Sequence, residues 1–313
     1  MIVTVVDDTH FVSGFELKYV RVWKATKSGP WDLALRFRAH EHWVLSVAAL
    51  PGGVHFVSIA SDKTAKLWTL DGTLVHTFDV GWVHCVTALD AQRFVVGERG
   101  GGEEWAEFGP CFKSGYGADL ALYHVDGTVA ARFAGHTTHE GCGVSAVAAM
   151  ADAAHLLSGG HDMTVKVWSV ADKSLVSTCT GHTGFVWTVA ATPDGQRILS
   201  GSEDRTIRVW QFDGAPVSTF SLLHPKPVKA VVVTPDGLHA LSGSDDKTIQ
   251  LWRIADGAAV RSFTQHTSGI QAIALLPDGK RFVSSSNDTT ARIAEHGHGI
   301  AEAEAEAPEA PSS

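Results

Sequence analysis

The 313-residue chain has few cysteines and no long apolar run, and a secretory signal is not expected from its first residues. Its four cysteines are scattered along the sequence, at Cys85, Cys111, Cys142 and Cys179. Because the N-terminus lacks both a basic start and an apolar core, reduced thiols in a cytosolic or nuclear protein are expected rather than disulfides. No stretch reaches the roughly 18 apolar residues of a membrane-spanning helix, so no membrane span is expected.

Positive charge is also scarce. The 25 lysines and arginines stand against 34 aspartates and glutamates, for a formal charge of −9. No basic patch could track a phosphate backbone, which argues against nucleic acid as the main partner. Much of the acidity lies in the C-terminal tail, residues 295–313, where Ala and Glu alternate before terminal Pro and Ser. This composition is typical of a disordered extension.

What the chain does contain is a repeated spacing of His and Asp. The pairs are His40–Asp62, His136–Asp162, His182–Asp204, His224–Asp246 and His266–Asp288. Six residues after each Asp stands a Trp, or Ala294 in the last copy: Trp68, Trp168, Trp210 and Trp252. Self-similarity with a period of about 42 residues indicates a repeat architecture.

Two further copies have part of this pattern, so the chain holds seven. One runs from Phe11 to Trp23 without the Asp, and the other ends at Tyr123 with Asp79 in place of the His. Each copy contains four short strands separated by turn dipeptides such as Asp213-Gly214. One four-stranded unit cannot bury both of its faces, but seven stacked radially can. The sequence therefore predicts an all-β, seven-bladed β-propeller of four-stranded antiparallel blades over residues 1–294.

These features resemble the WD-repeat family, with Gly-His at Gly135-His136 and Gly181-His182, the Asp turn and the terminal Trp. The Trp-Asp dipeptide itself is absent, because each Trp is followed by another residue: Lys24, Thr69, Ser169, Gln211 or Arg253. The resemblance covers residues 1 to about 294. It implies a β-propeller that serves as a rigid platform for protein partners.

The resemblance also implies that the loop His, a Ser, the turn Asp and the Trp form a structural hydrogen-bonded tetrad. Complete sets are expected at His182, Ser202, Asp204 and Trp210, and at His224, Ser244, Asp246 and Trp252. Blades 2 and 4 have Ala60 and Gly160 at the Ser position. Ser, His and Asp together also suggest a hydrolase triad, but a nucleophile is not needed five times, and a triad is defined by geometry.

In the family, partners contact the residues three and five after the loop His and one before the turn Asp. These positions carry over to Trp43, Leu45, Ser61, Trp82, His84, His161, Phe185, Trp187, Glu203, Pro227, Lys229, Asp245, Gly269, Gln271 and Asn287. We expect Trp43, Trp82, Phe185 and Trp187 to form one aromatic sector of the top face, with Lys229 and Gln271 opposite. The alternative is that some of these rings pack beneath the loops.

Two insertions are expected on the same face. Residues 99–116 lengthen blade 3 and contain Trp105, which we count among the partner-binding residues because so apolar a loop must pack back or meet a partner. The blade 4 loop, His136 to Cys142, holds two His, a Glu and a Cys, and Cys111 could approach it. Without a Cys-x-x-Cys motif or a second His pair, we predict neither a metal nor another cofactor.

Closure of the ring depends on the strands at the two ends of the chain. Residues 1–6 form the expected first strand of blade 1, and the sequence after Ala294 is a poor strand. Blade 7 is therefore expected to be incomplete, unless the natural N-terminus lies upstream.

The predicted function is a non-enzymatic scaffold or adaptor, a monomeric ring that binds proteins or peptides through its top face within a larger complex. A ubiquitin-binding or degradation adaptor is the alternative within this class. An enzyme or a metal-dependent module is the alternative of another class.

Overall fold

The computed structural model describes residues 2–14, 18–25, 31–98, 118–137, 143–297 and 303–305. The first four blades are β1 to β4 (Ile2–Asp7, His10–Gly14, Tyr19–Lys24, Asp32–Arg38), β5 to β8 (Val44–Ala49, His55–Ala60, Thr64–Thr69, Leu74–Asp79), β9 to β12 (Val83–Ala88, Arg93–Glu98, Ala118–His124, Val129–His136) and β13 to β16 (Val144–Ala149, His155–Gly160, Val165–Ser169, Ser174–Cys179). Blades 5 to 7 are β17 to β20 (Val186–Ala191, Arg197–Ser202, Ile207–Gln211, Pro216–Phe220), β21 to β24 (Val228–Val233, His239–Ser244, Ile249–Arg253, Ala259–Phe263) and β25 to β28 (Ile270–Leu275, Arg281–Ser286, Ala291–Glu295, Ala303–Ala305).

Each blade is an antiparallel sheet whose strands follow chain order. The first strand of every blade contacts the first strand of the next, and β1 contacts β25, which closes the ring. The seven-bladed, all-β propeller predicted from the repeat is confirmed. In the part of the chain that the structure describes, no helix is long and apolar enough to cross a membrane.

The apolar core lies between the blades. Blade 2 gives Val57 and Ile59 to a buried cluster that also contains Phe94 and Val96 of blade 3. The same arrangement joins the ends of the ring, where Phe11 and Trp23 of blade 1 pack with Val283 and Ile293 of blade 7. Each blade therefore buries both faces against its neighbours, which is why the repeat needs a closed ring to be stable.

Blade 7 has three full-length strands and a very short outer one. The three residues of β28, which come from the C-terminal tail, pair antiparallel with Ala291, Arg292 and Ile293 of β27. As expected, β1 is the first strand of blade 1 and does not complete blade 7. The rest of the tail, residues 298–302 and 306–313, lies outside the described residues, and so do residues 99–116 of the blade 3 insertion.

Hydrogen-bonded tetrads tie the top loops to the blades. In blade 5, the indole N–H of Trp210 donates to Ser200 Oγ at 2.8 Å. Ser200 Oγ lies 2.7 Å from His182 Nε2, and His182 Nδ1 lies 2.8 Å from Asp204 Oδ2. Since Trp can only donate and an ionised carboxylate can only accept, a neutral His182 carries its proton on Nδ1 and accepts the serine hydroxyl on Nε2. With His182 neutral, all three hydrogen bonds have a defined direction, from Trp210 to Ser200, from Ser200 to His182 and from His182 to Asp204.

The serine in this tetrad is not the predicted one. Ser202 donates to the carbonyl of Gly184 and accepts from the backbone N–H of Asp204. Trp210 pairs with Ile198 across β18 and β19, so its indole reaches Ser200 and cannot reach two residues further. The prediction of Ser202 was wrong for this reason.

In blades 2, 4 and 6 as well, the tetrad serine lies two residues before the predicted position. Blade 6 uses Ser242 rather than the predicted Ser244, which instead donates to the carbonyl of Lys226. Blades 2 and 4, expected to lack the serine, have complete tetrads through Ser58 and Ser158. A Ser ten residues before the Trp, or before Ala294, recurs in six copies and was the sequence signal for this role.

Blade 6 also departs from the pattern at its Trp. His224 contacts Asp246 at 2.7 Å as predicted, and Trp252 is fully buried. The indole N–H of Trp252 nevertheless finds no hydrogen-bond acceptor among the described residues. The predicted fourth member of this tetrad is therefore in place but not hydrogen-bonded to it.

The turn Asp joins two loops of its blade. Asp162 accepts hydrogen bonds from His136 Nδ1, from the backbone N–H groups of Thr137 and Thr164, and from the Thr164 hydroxyl. Burial opposes ionisation of this carboxyl, but the hydrogen bonds from His136 and Thr164 outweigh it and lower its pKa to about 2. One ionised carboxylate thus fixes both the His loop and the turn after the second strand.

Blade 7 should open more readily than the blades before it. The outer pairing of β27 covers three residues, whereas β19 is paired along both of its edges. Unpaired amides exchange with water, so we expect faster hydrogen exchange in residues 262–294 than in residues 175–255. Equal protection of β27 and β19 in hydrogen-exchange mass spectrometry would contradict this.

The serine assignment can be tested by comparing two blades. Ser200→Ala leaves two buried groups, His182 Nε2 and the Trp210 N–H, without a partner, and should cost about 2–4 kcal/mol of the free energy of unfolding. Ser242→Ala strands only His224, because Trp252 is not bonded, and should cost about 1–2 kcal/mol. Urea denaturation measures both. A Ser202→Ala variant that is destabilised as much as Ser200→Ala would refute the assignment.

Acid should unfold the protein through the turn aspartates. The folded pKa of Asp162, about 2, lies below its unfolded value near 3.9, so its stabilising contribution is complete above that value and is lost as pH falls towards 2. We expect Asp162→Asn to be less stable than wild type at pH 7, by roughly 2 kcal/mol, and to lose stability less steeply between about pH 5 and 2. Denaturation at a series of pH values tests this, with exposed Asp8→Asn as the control for a lost charge. Parallel slopes for Asp162→Asn and wild type would disprove it.

Candidate partner-binding face

Two of the three predicted contact positions are joined by the backbone in blades 2, 5, 6 and 7. The N–H of the residue before the turn Asp donates to the carbonyl of the residue three after the loop His, at 2.9–3.1 Å. The joined pairs are Ser61–Trp43, Glu203–Phe185, Asp245–Pro227 and Asn287–Gly269. In blade 4, with its longer loop, His161 donates to Gly143. We call these positions, together with the residue five after the loop His, the top rim.

The third rim position is a β-bulge on the first strand of the blade. In blade 5 the pairing passes from Val186↔Ser202 to Thr188↔Gly201, which leaves Trp187 unpaired. A bulge redirects a side chain out of the regular alternation of the strand. The same bulge recurs in six consecutive blades, at Leu45, His84, Ser145, Trp187, Lys229 and Gln271.

Ser145 occupies the bulged rim position of blade 4. The sequence analysis missed it because that position was assigned by its distance from the loop His. The blade 4 insertion separates Ser145 from His136 by nine residues instead of five. A Val or Ile precedes the bulged residue in all six blades. This residue is a sequence signal for the bulge that does not depend on the length of the top loop. The Ser145 hydroxyl lies within hydrogen-bond distance of the carbonyls of Gly159 and Val186, and its single proton is shared between blade 4 and blade 5.

Three rim side chains of blades 4 and 5 form one aromatic cluster. His161 stacks on Phe185 with ring centroids 4.1 Å apart and an interplanar angle of 14°. Trp187 meets His161 edge to face at 5.2 Å and Phe185 at 6.0 Å. All three rings are partly exposed. We call His161, Phe185 and Trp187 the rim cluster.

Lys229 of blade 6 completes this arrangement. Its Nζ lies 3.6 Å from the centroid of the Trp187 ring and 4.0 Å from Asp245 Oδ2. Burial lowers the pKa of Lys229 below its usual value, although the charges of Asp245 and Glu203 act to raise it. The prediction that Lys229 lies opposite the aromatic sector was wrong, because bulged residues of adjacent blades are spatial neighbours although 42 positions separate them.

The remaining predicted aromatics stand apart from the rim cluster. Trp43 is 54% exposed, and Trp82 is half-buried with Lys63 Nζ 4.9 Å from its ring centroid. Leu45 packs against the apolar cluster between blades 2 and 3, as the alternative interpretation allowed for some of these residues. His84 is half-buried. Among the described residues, no ring contact joins Trp43 or Trp82 to the rim cluster.

The insertions cannot be placed on this face. Trp105 lies outside the described residues, as do Cys111, Cys142 and residues 138–141 of the blade 4 loop. His136 is bonded to Asp162 and Ser158. Within the described ranges, no group of three or more His, Cys, Asp or Glu side chains could hold a metal ion. Cys85 and Cys179 are free thiols there, and burial raises the pKa of each to about 12.

Two curated proteins are similar to part of this chain. Nuclear distribution protein nudF 2 of Talaromyces marneffei is 33% identical over 79 residues, which are 25% of this chain and 17% of that protein. The p21-activated protein kinase-interacting protein 1-like of Xenopus laevis is 36% identical over 63 residues, which are 20% of this chain and 16% of that protein. The similar stretch spans less than a fifth of either relative.

A family model gives a broader match. The model described as WD domain, G-beta repeat matches residues 31–69, 127–169, 173–211, 214–253 and 257–294. Each segment takes in the outer strand of one blade and the first three strands of the next, as residues 214–253 do with β20 to β23. The matched segments cover more than half of the sequence and each ends with the third strand of a blade, so this chain belongs to the WD-repeat family.

Proposed function

We propose that the protein is a non-enzymatic scaffold that binds protein or peptide partners through its top rim. The observation that carries this proposal is the rim cluster, in which three partly exposed aromatic rings from two blades hold one another in place. Exposed aromatic side chains in mutual contact are unusual on a surface without a function, and Trp is enriched among residues that dominate binding energy.

Preorganisation strengthens the argument. The tetrads fix the loops on which His161 and Phe185 lie, and the bulge fixes Trp187 on a strand of the ring. A side chain that is already ordered loses little entropy when a partner covers it, so more of the contact energy remains as affinity. The tetrad residues themselves are buried in hydrogen bonds to one another, which supports a structural rather than a catalytic role for them.

The proposal also covers the cellular location of the protein and its assembly with partners. We infer a cytoplasmic or nuclear location, because the two described thiols are free and buried. We also infer that a single ring acts as an adaptor within a larger complex. One relative is named for its interaction with a p21-activated protein kinase, and an interaction role is what we propose here without naming the partner.

Partner capture by rim variants tests the function. We expect Phe185→Ala with Trp187→Ala to reduce capture at least tenfold, since each buried aromatic supplies about 2 kcal/mol or more. The measurement is affinity purification of the tagged chain with quantitative mass spectrometry. Trp43→Ala tests the separate exposed ring of blade 2 in the same way.

The matched control lies on the outer strand of blade 4. Leu175→Ala with Val176→Ala removes two exposed apolar side chains, 45% and 43% exposed, far from the rim. This pair should leave capture unchanged, and melting temperatures should identify any variant that unfolds. Full capture by a folded rim variant, or equal loss with the control pair, would reject the top rim as the binding face.

A further inference from the structure

Blade 1 carries three arginines on the side that faces blade 7. Arg21 and Arg36 stand directly opposite each other across β3 and β4, and Arg38 stands opposite Tyr19. Paired residues, and residues two apart along a strand, lie on the same side of a sheet. Trp23 lies on that side too, and it packs against blade 7. We call Tyr19, Arg21, Arg36 and Arg38 the arginine face.

Negative charge would stabilise the arginine face. Like charges directly opposite each other in a sheet are destabilising. The pKa of Arg21 is lowered, first by burial and then by the charge of Arg36. Arg38 already contacts the carboxylate of Glu41. The group that an added carboxylate can reach is therefore Arg36, which is exposed.

The guanidinium of Arg36 is held in a position suited to a carboxylate. It lies over the Tyr19 ring, 4.5 Å from the ring centroid. Stacking of this kind uses the flat face of the guanidinium, whereas its N–H groups lie along the edge. The edge of a stacked guanidinium can still bind the two oxygens of a carboxylate.

The C-terminal tail arrives at the same junction from blade 7. Strand β28 pairs antiparallel with β27 and ends at Ala305, opposite Ala291. Ala291 begins β27 and corresponds in the repeat to Val20, which stands between Tyr19 and Arg21 in β3. The end of β28 is therefore level with the arginine face of the adjacent blade.

The sequence that follows β28 has the charge and the length to reach this face. Residues 306–313 include Glu306 and Glu309 and contain no lysine or arginine. Eight extended residues span about 26 Å, whereas packed sheets lie about 10 Å apart. A carboxylate tethered so close has an effective concentration in the millimolar range, which favours the tail over an acidic segment of another molecule.

We propose that residues 306–313 dock on the arginine face and that Glu306 or Glu309 binds Arg36. The contact latches blade 7 to blade 1, at the junction where the outer strand β28 has three residues. This latch is independent of the top rim and of partner binding there.

Cross-linking within the full-length chain tests the contact directly. Arg36→Lys keeps the positive charge and provides an amine, which a carbodiimide joins to a carboxylate only when the two groups touch. Thr219→Lys is the matched control, because Thr219 is exposed and stands opposite Arg208 in blade 5 as Arg36 stands opposite Arg21. Peptide mapping by mass spectrometry should find the amine at position 36 joined to Glu306 or Glu309. The amine at position 219 should not be joined to either. About 1 M NaCl should suppress the cross-link, since the Debye length is then about 3 Å.

Hydrogen exchange gives a second measurement. We expect β27 to exchange about two- to fivefold faster in Arg36→Gln, because exposed ion pairs stabilise only weakly. Glu306→Gln with Glu309→Gln should have the same effect, and combining all three changes should add nothing further. Arg197→Gln, at an exposed arginine of blade 5, controls for the lost charge and should leave β27 unchanged.

Three outcomes overturn the proposal. They are the absence of a cross-link at position 36, an equal yield at position 219, and unchanged exchange of β27 in the Arg36 and tail variants. Mixed ¹⁴N- and ¹⁵N-labelled chains test the connection, because a cross-link found only between differently labelled chains would assign the arginine face to the tail of a second copy. Partner capture by the top rim does not enter any of these measurements, so the latch and the proposed function fail separately.

Discussion

The structure depends on one carboxylate at the top of each regular blade. In blade 4, Asp162 accepts from a histidine of the incoming loop and from the Thr164 hydroxyl and backbone of its own turn. Equivalent bonds occur around Asp62, Asp204, Asp246 and Asp288. These carboxylates are nearly buried, so each must be ionised and fully bonded or it would destabilise the fold. That requirement holds the top loops in one conformation.

The same carboxylates support a strained backbone. The residue after each turn Asp has a positive φ, between 62° and 77°, although none is glycine: Lys63, Met163, Arg205, Lys247 and Thr289. A left-handed conformation costs a non-glycine residue of order 1 kcal/mol. The turn persists because the Asp accepts from the backbone two residues on, as Asp204 does from Thr206. This tight turn places the residue before the Asp, such as His161, on the rim.

The sequence was sufficient for the number of blades and most of their strands, because the His, Asp and Trp that define the repeat also hold it together. The sequence did not predict contacts that depend on how two strands are aligned or on which residues of two blades meet. Ser200 and Ser202 point to the same side of β18, and only the register against Trp210 selects between them. Lys229 and Trp187 are neighbours because both stand at bulges of adjacent blades, and the spacing within one repeat does not show which residues meet between two blades. Blade 7 closes with three residues of a tail whose Ala-Glu alternation has low strand propensity.

In this ring, the residues that recur from blade to blade and the residues that differ between blades occupy different positions. The tetrads and bulges make the blades interchangeable in backbone, and the bulged residue is then free to differ: Leu45, His84, Ser145, Trp187, Lys229 and Gln271. A single blade with Trp at this position would present an apolar ring, and one with Lys a solvated charge. Side by side, the ammonium of Lys229 lies over the Trp187 ring, a contact that neither blade could make alone. The surface at a junction of two adjacent blades is therefore set by a pair of residues, and one junction can differ from the next while the backbone stays the same.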